Sequence, residues 1–224
     1  MKEIESKFIA TAEKGEVSAV LLLPEQADCV LVLGHGAGAG MRHANMERIA
    51  HSLAGQNIAT FRYQFPFMER GGGRDAQKVS LATVQSAVRE AARQAPGLPL
   101  LAGGHSFGGR MTSHAAAEGL IPEAKGLIFF AFPLHAPGKP GTERAAHLRL
   151  ISQPMLFLSG TRDTLARADL LQEVVDELGD KARLHWLDTA NHSYKILKRS
   201  RQNPEDVFEE MARVSREWID KLIF

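Results

Sequence analysis

Short apolar runs alternate with helical patterns along most of the chain, and this alternation limits the folds open to it. Seven of the runs have the length of a buried strand: Val17 to Leu23, Val30 to Leu33, Ile58 to Phe61, Leu98 to Ala102, Leu127 to Phe132, Pro154 to Leu158 and Arg183 to Leu187. Five segments have helical periodicity: Met41 to Leu53, Gln77 to Gln94, Arg110 to Glu118, Arg167 to Leu178 and Pro204 to Ile223. Parallel strands need crossover connections, so the pattern predicts an α/β fold with a mostly parallel central sheet and helices on both faces.

The N-terminal part of the chain follows a different pattern. Glu3 to Ala12 and Val17 to Leu23 are separated by the short polar segment Glu13 to Glu16, which is typical of a hairpin loop. We therefore expect an antiparallel edge on the sheet. The full chain, residues 1–224, is expected to form a single domain, because no linker or repeat interrupts it and no segment is long enough for a large lid domain.

Charge and composition exclude several classes of partner. Lys and Arg number 27 against 26 Asp and Glu, so no overall field attracts the chain to nucleic acid or to an anionic membrane. Cys29 is the only cysteine, which rules out an intrachain disulfide, and its apolar neighbours predict a buried thiol. Met1 to Lys7 alternates in charge, unlike a signal peptide, and no apolar run reaches membrane-spanning length. These features predict a cytoplasmic protein.

A glycine-rich turn follows the predicted strand Leu98 to Ala102 and precedes a predicted helix. It contains Gly104-His105-Ser106-Phe107-Gly108, the G-x-S-x-G pattern of a nucleophilic serine on a sharp strand-to-helix turn. Neighbouring backbone passes so close to such a turn that the residues two before and two after the serine must be very small, as Gly104 and Gly108 are. The alternatives are a loop that only turns the chain or one that cradles a phosphate, although the Walker lysine is absent and G-x-G-x-x-G does not fit.

A second glycine-rich segment, Gly34 to Gly40, follows the predicted strand that ends at Leu33. In a serine hydrolase with such a turn, the loop after the third strand supplies one of the two backbone N–H groups that hold the oxyanion, and the residue after the serine supplies the other. We assign these donors to Ala37 and Phe107, with Gly38 as the neighbouring alternative to Ala37. His35 is expected to brace the loop through hydrogen bonds rather than to act as the base.

The acid and the base are expected after later strands, in the chain order Ser, Asp, His. Asp163 follows the run that ends at Leu158, and His192 follows the run that ends at Leu187. A serine hydroxyl needs an imidazole to accept its proton, and the imidazole needs an acceptor that holds it in one tautomer. Asp188 is the rival acid, and His105, beside the serine, is a weaker candidate for the base.

Four motifs carry a resemblance to a known family: Gly34-His35-Gly36-Ala37-Gly38, Gly103-Gly104-His105-Ser106-Phe107-Gly108-Gly109-Arg110, Gly160-Thr161-Arg162-Asp163 and Asn191-His192-Ser193. Over nearly its whole length the chain resembles the α/β-hydrolase superfamily, in particular its dienelactone-hydrolase-like branch of small uncapped serine hydrolases. The resemblance implies a catalytic triad of Ser106, His192 and Asp163 and ester-like substrates. Dienelactone hydrolases proper use a cysteine nucleophile, so the serine at position 106 means that a dienelactone substrate is not implied.

The sequence therefore predicts a cytoplasmic serine esterase that cleaves a carboxylic ester or a related acyl bond through an acyl-enzyme, without a cofactor or a metal. We expect a small-molecule acyl substrate, no nucleic acid or membrane partner, and a monomer or homodimer. The alternatives are a non-catalytic binding or scaffold protein of the same fold, a thioesterase or a perhydrolase.

Two sets of residues are candidates for contact with the substrate. Tyr63, Phe67 and Leu134 are predicted to line an apolar wall, with edge packing as the equal alternative. The second set is a basic cluster, for which the alternatives are a site for an anionic substrate group and a solvated face. Its members are Lys195, Lys198, Arg199 and Arg201.

Overall fold

The computed structural model describes residues 1–222, in which eight strands form one sheet of order β1-β2-β4-β3-β5-β6-β7-β8. The strands are β1 (Lys2–Thr11), β2 (Gly15–Leu23), β3 (Cys29–Gly34), β4 (Ile58–Tyr63), β5 (Leu100–His105), β6 (Leu127–Phe130), β7 (Met155–Gly160) and β8 (Ala182–Leu187). Strands β3 to β8 pair in parallel, whereas β1 pairs with β2 and β2 with β4 in antiparallel fashion. The predicted sheet and its antiparallel edge are thus confirmed.

Six helices connect or flank the strands within the described residues. They are α1 (Ala44–Ala54), α2 (Pro66–Arg70), α3 (Gln77–Gln94), α4 (Phe107–Ala117), α5 (Ala168–Leu178) and α6 (Val207–Ile219), with short 3-10 turns at Glu143–Ala145, Leu148–Leu150 and Gly179–Lys181. The bounds of α3 coincide with the prediction. Helix α2 and the 3-10 turns are too short to show a helical period and were not predicted. Ile223, the predicted end of the last helix, lies outside the described residues.

Helix α6 shows how local sequence sets these elements. The carboxylate of Asp206 accepts a hydrogen bond from the N–H of Phe208 and so caps the first turn. Val207, Met211, Val214 and Trp218 recur at intervals of three or four residues and are all buried. None of the helices described in residues 1–222 is long and apolar enough to cross a membrane.

Both faces of the sheet are covered, because side chains alternate between the two faces of each strand. Helices α3, α4 and α5 pack on one face, together with Phe61 and Tyr63 of β4. Helices α1 and α6 pack on the other face, where the predicted buried thiol of Cys29 lies beside Leu31. Burial raises the pKa of this thiol to about 12.

The parallel strands place all the candidate chemistry at one edge. Strands β3 to β8 run in the same direction, so their carboxyl ends meet at the same edge of the sheet. The glycine-rich loop follows β3, Ser106 follows β5, Asp163 follows β7 and His192 follows β8. Ligands of open α/β sheets bind at this carboxyl edge.

Candidate active site

Ser106 is the single residue between the last residue of β5 and the first residue of α4. Its φ of 52° and ψ of −112° lie in a region that residues with a side chain rarely adopt. Two hydrogen bonds hold this strained turn: the Ser106 N–H donates to the carbonyl of Phe130 at 3.0 Å, and the N–H of Arg110 donates to the Ser106 carbonyl at 3.0 Å. Strain held in this way is typical of a functional site.

The glycines that flank the serine lie against backbone on both sides. A Cβ placed on Gly104 would lie 2.5 Å from the carbonyl oxygen of Gly34 and 2.7 Å from the carbonyl carbon of Gly108. A Cβ on Gly108 would lie 2.3 Å from the carbonyl group of Gly34. No side chain fits there without movement of the backbone. The motif predicts glycine at these positions. The contact with Gly34 is known only from the structure, in which β3 pairs with β5 and places Gly34 beside Gly104.

Ser106, His192 and Asp163 form one hydrogen-bonded line. The Ser106 Oγ lies 2.9 Å from His192 Nε2, and His192 Nδ1 lies 2.8 Å from Asp163 Oδ2. The Asp163 side chain is fully buried, and its Oδ1 accepts a hydrogen bond from the N–H of Leu165 at 2.8 Å. An acceptor at Nδ1 places the imidazole hydrogen there and leaves the Nε2 lone pair facing the hydroxyl. The structure therefore brings together the three residues that the sequence predicts.

The loop that carries His192 is held from three directions. The side-chain oxygen of Asn191 accepts a hydrogen bond from the N–H of Ser193 at 3.0 Å. The amide of Asn45 in α1 donates to the Ser193 carbonyl at 3.2 Å, and Nε2 of His105 lies 3.3 Å from the His192 carbonyl oxygen. Asn191 is recognisable in the sequence as an Asx-turn residue. Asn45 was missed, because it lies 148 residues from its partner and carries no local signal.

The two rival residues have other contacts. The Oδ2 of Asp188 accepts a hydrogen bond from the N–H of Gln202 at 3.0 Å, so this carboxylate holds the following loop. His105 makes its contact through the His192 backbone, and burial, together with the charge of His192, lowers the pKa of its imidazole to about 4. A neutral ring that donates to a carbonyl braces the loop rather than accepting the serine proton.

The glycine-rich loop lies directly against the turn that carries the serine. A Cβ on Gly36 would lie 2.9 Å from His105 Nδ1 and 3.8 Å from the Ser106 Cβ. Ala37 is the next residue and is partly exposed, and Phe107 begins α4, where N–H groups have no partner within the helix. Within residues 1–222, neither of these two N–H groups donates a hydrogen bond to the protein. Both are free for a ligand oxygen.

His35 has the contacts of a brace. It is fully buried, its Nδ1 donates to the Gly36 carbonyl at 2.8 Å, and its Nε2 accepts from the N–H of Phe65 at 3.0 Å. Burial lowers the pKa of this imidazole to about 4, so the ring is neutral at pH 7. The ring ties the loop that contains Ala37 to the connection after β4.

The predicted apolar wall is part of the core. Tyr63 and Leu134 have no exposed surface, and Phe67 is 3% exposed. The Phe67 ring packs edge-on against Phe107, with centroids 5.6 Å apart, and Tyr63 packs in the same way against Phe65 at 5.2 Å. The assignment of these residues to substrate contact is therefore corrected to edge packing, the alternative that the sequence left open. The sequence shows that they are apolar, not what covers them.

The basic cluster divides in two. Lys195, Lys198 and Arg199 are exposed to solvent. The side chain of Arg201 is buried and forms an ion pair with Glu210, whose other oxygen lies 3.0 Å from His185 Nε2. Arg201 therefore belongs to an internal network, and the three exposed cations fit a solvated face.

The sheet order, the strained serine and the buried acid behind the imidazole define a hydrolase-type site on an α/β sheet. Residues 27–220 match the family described as alpha/beta hydrolase domain. The chain belongs to the α/β-hydrolase family, which places it in the hydrolase class of enzymes.

Solved structures with the same fold share little sequence with this chain. Dienelactone hydrolase from Anabaena variabilis has a TM-score of 0.76 at 16% identity and covers 100% of both chains. The esterase domain of a Rhodothermus marinus protein has a TM-score of 0.72 at 17% identity over 99% of each chain. A serine hydrolase without a lid from Xanthomonas campestris has a TM-score of 0.72 at 16% identity and covers 99% of this chain and 95% of its own. At these identities the likeness concerns the fold.

Proposed function

We propose that this protein is a serine hydrolase that cleaves a carboxylic ester or a related acyl bond through an acyl-enzyme. One observation carries the proposal: the Ser106 Oγ lies 2.9 Å from His192 Nε2, while His192 Nδ1 lies 2.8 Å from a fully buried Asp163 carboxylate. These distances suit proton transfer from the hydroxyl to the imidazole. Membership of the α/β-hydrolase family supports the same class of chemistry.

In the proposed first half-reaction, Ser106 Oγ attacks the carbonyl carbon of the substrate, and its proton passes to His192 Nε2. The carbonyl oxygen becomes an oxyanion, which accepts hydrogen bonds from the N–H groups of Phe107 and Ala37. Asp163 stabilises the imidazolium and keeps its orientation. Collapse of the tetrahedral intermediate breaks the bond to the leaving group, which takes the proton from His192, and leaves the acyl group on Ser106.

In the second half-reaction, water takes the place of the leaving group. His192 accepts a proton from the water as its oxygen attacks the acyl carbon, and the same N–H pair holds the second oxyanion. The acid is released when the bond to Ser106 Oγ breaks and the hydroxyl regains its proton. Every proton moves between substrate, water and the chain's own side chains, so the proposed cycle uses no cofactor or metal.

A second Ser–His pair provides a matched control. The Ser113 Oγ lies 2.7 Å from His147 Nε2, but Ser113 is fully buried, and among residues 1–222 no carboxylate is bonded to His147. We expect a fluorophosphonate probe to label the wild type and Ser113→Ala but not Ser106→Ala. Hydrolysis of 4-nitrophenyl acetate by Ser106→Ala should fall by about 10⁴-fold or more.

Labelling and turnover that persist in Ser106→Ala would refute the mechanism. A wild type that binds acyl compounds but is neither labelled nor active would instead identify a binding or scaffold protein. If Ser106 is labelled, parallel assays of esters, thioesters and peroxide as acyl acceptor separate an esterase from a thioesterase and a perhydrolase. A cytoplasmic location is part of the proposal and is supported by the single cysteine.

A further inference from the structure

Helix α4 carries a half-buried arginine, Arg110, one turn beyond Ser106. The N–H of Arg110 donates to the Ser106 carbonyl at 3.0 Å, so the two residues lie on the same face of the helix start. Side chains on a helix lean toward its N-terminus, which directs the Arg110 side chain back toward the serine. Helix geometry therefore predicts that the guanidinium lies near the candidate active site.

The Arg110 side chain has no hydrogen bond or ion pair with any residue in the described range 1–222. Two other arginines in the described residues have carboxylate partners: Arg213 pairs with Glu205 and Glu217, and Arg216 pairs with Asp28. A guanidinium that is half removed from water without an acceptor is unfavourable, and an oxyanion in contact with it would compensate.

Two further arginines act on Arg110 from neighbouring connections. Arg74 lies in the connection that follows β4, and Arg144 lies in the connection that follows β6. Strands β4 and β6 lie on opposite sides of β5 in the sheet, and both connections start at the carboxyl edge. Arg144 donates to the carbonyl of His135 at 3.0 Å, and neither arginine pairs with a carboxylate in residues 1–222. Burial first, and then the positive charges of Arg144 and Arg74, lower the pKa of Arg110. The net charge of the chain is only +1, so this positive charge is local.

Two stacked histidines hold the Arg144 segment against α4. The rings of His114 and His147 lie 3.6 Å apart at an interplanar angle of 13°. His114 is one turn beyond Arg110, and His147 follows Arg144 in the connection after β6. Burial lowers the pKa of both rings, that of His147 to about 4, so they are neutral at pH 7. The stack therefore fixes the connection without adding positive charge next to Arg110.

We propose that Arg110, assisted by Arg74 and Arg144, binds an oxyanion group of the substrate, a carboxylate or a phosphate, next to Ser106. This inference rests on the proposed hydrolase function and names its substrate class. A guanidinium matches the two oxygens of a carboxylate or phosphate and forms stronger hydrogen bonds with them than with neutral acceptors. Four helical residues span about 6 Å, so the anion would lie a few bonds from the scissile carbonyl. The expected substrate is a short ester with one anionic end.

The test compares two substrates that differ only in charge: 4-nitrophenyl hydrogen adipate and its neutral methyl ester. We expect the wild type to have a kcat/KM for the anionic ester about 10-fold or more above that for the neutral ester. In Arg110→Gln this ratio should fall by about 10-fold, mainly through KM, because a charge-assisted contact is lost. Arg110→Lys should recover part of the ratio. Arg89→Gln, at an exposed position in α3, should retain the wild-type ratio.

Competition separates the two anions. Adipate and glycerol phosphate are added to wild type that is hydrolysing the neutral ester, and the stronger inhibitor identifies the preferred oxyanion. If adipate or glycerol phosphate inhibits Arg110→Gln more weakly than it inhibits the wild type, the result supports the proposal. An unchanged substrate ratio in Arg110→Gln overturns it and leaves the hydrolase function intact.

Failure of the hydrolase function has a different signature. In that case neither ester is hydrolysed and the fluorophosphonate probe does not label Ser106. Titration calorimetry with adipate then tests the anion site by itself. Binding to the wild type that is lost in Arg110→Gln supports the site, and equal or no binding overturns it.

Discussion

Replacement of His35 by glutamine tests how the glycine-rich loop is held. The folded pKa of His35 is about 4, whereas an unfolded histidine titrates near 6.5. Between pH 4 and pH 6.5 the unfolded chain therefore binds more protons at His35 than the folded chain does. For this reason neutral His35 contributes fully to the stability of the fold above about pH 6.5, and this contribution is lost as the pH falls toward 4. Between pH 7 and pH 5 the loss from this group is about 2 kcal/mol in the free energy of unfolding.

Urea unfolding of the wild type and His35→Gln, followed by tryptophan fluorescence at both pH values, measures the effect. Glutamine does not titrate, so the drop between pH 7 and pH 5 should be about 2 kcal/mol smaller in the variant than in the wild type. His105 and His147 also have lowered pKa values, but they contribute equally to both proteins and cancel in this comparison. His51→Gln, at an exposed position in α1, is the control. An equal drop in the wild type and His35→Gln would refute the assignment of His35 as a buried neutral brace.

Two further substitutions probe the backbone and the acid. Gly108→Ala should reduce the proposed esterase activity by about 10²-fold or more and destabilise the fold, because its Cβ would lie 2.3 Å from the Gly34 carbonyl group. A Cβ at Gly72 meets nothing within 4 Å, so Gly72→Ala should behave as wild type in activity and in urea unfolding. Asp163→Asn should lower kcat by about 10⁴-fold, because the amide no longer holds the required tautomer of the imidazole. Asp188→Asn keeps an acceptor for the Gln202 N–H and should change kcat little. Equal kcat losses in the two Asp variants would contradict the choice of acid.

Local patterns in the sequence determined the elements and the turn that carries the serine. The eight strands, the long helices and the glycines around Ser106 depend on residues within a few positions of one another, and such short-range effects are readable from a single sequence. The order of Ser106, Asp163 and His192 along the chain was readable for a similar reason. Each of these residues lies within five residues of the end of an apolar run, and parallel strands bring the ends of such runs to one edge.

The choice between candidate residues depended on contacts across long stretches of chain. Asp163, rather than Asp188, reaches His192 because β7 pairs with β8 and places the two loops side by side. Tyr63 and Leu134 proved to be core residues because the neighbouring elements cover them completely. Neither outcome can be predicted from the residues next to these positions in the sequence.

The sequence by itself determined the strand-helix alternation, the glycine-flanked serine and the chain order of an acid and a base, since all three follow from short-range sterics and periodicity. Only the tertiary structure decided which carboxylate meets the imidazole and which aromatic residues are covered. It also decided that Arg110 is half-buried with no carboxylate partner in residues 1–222. These features depend on strand order and on the packing of connections far apart in the chain. The physical reason is that burial and charge at a residue are set by its neighbours in space, and a sequence specifies those neighbours only after it has folded.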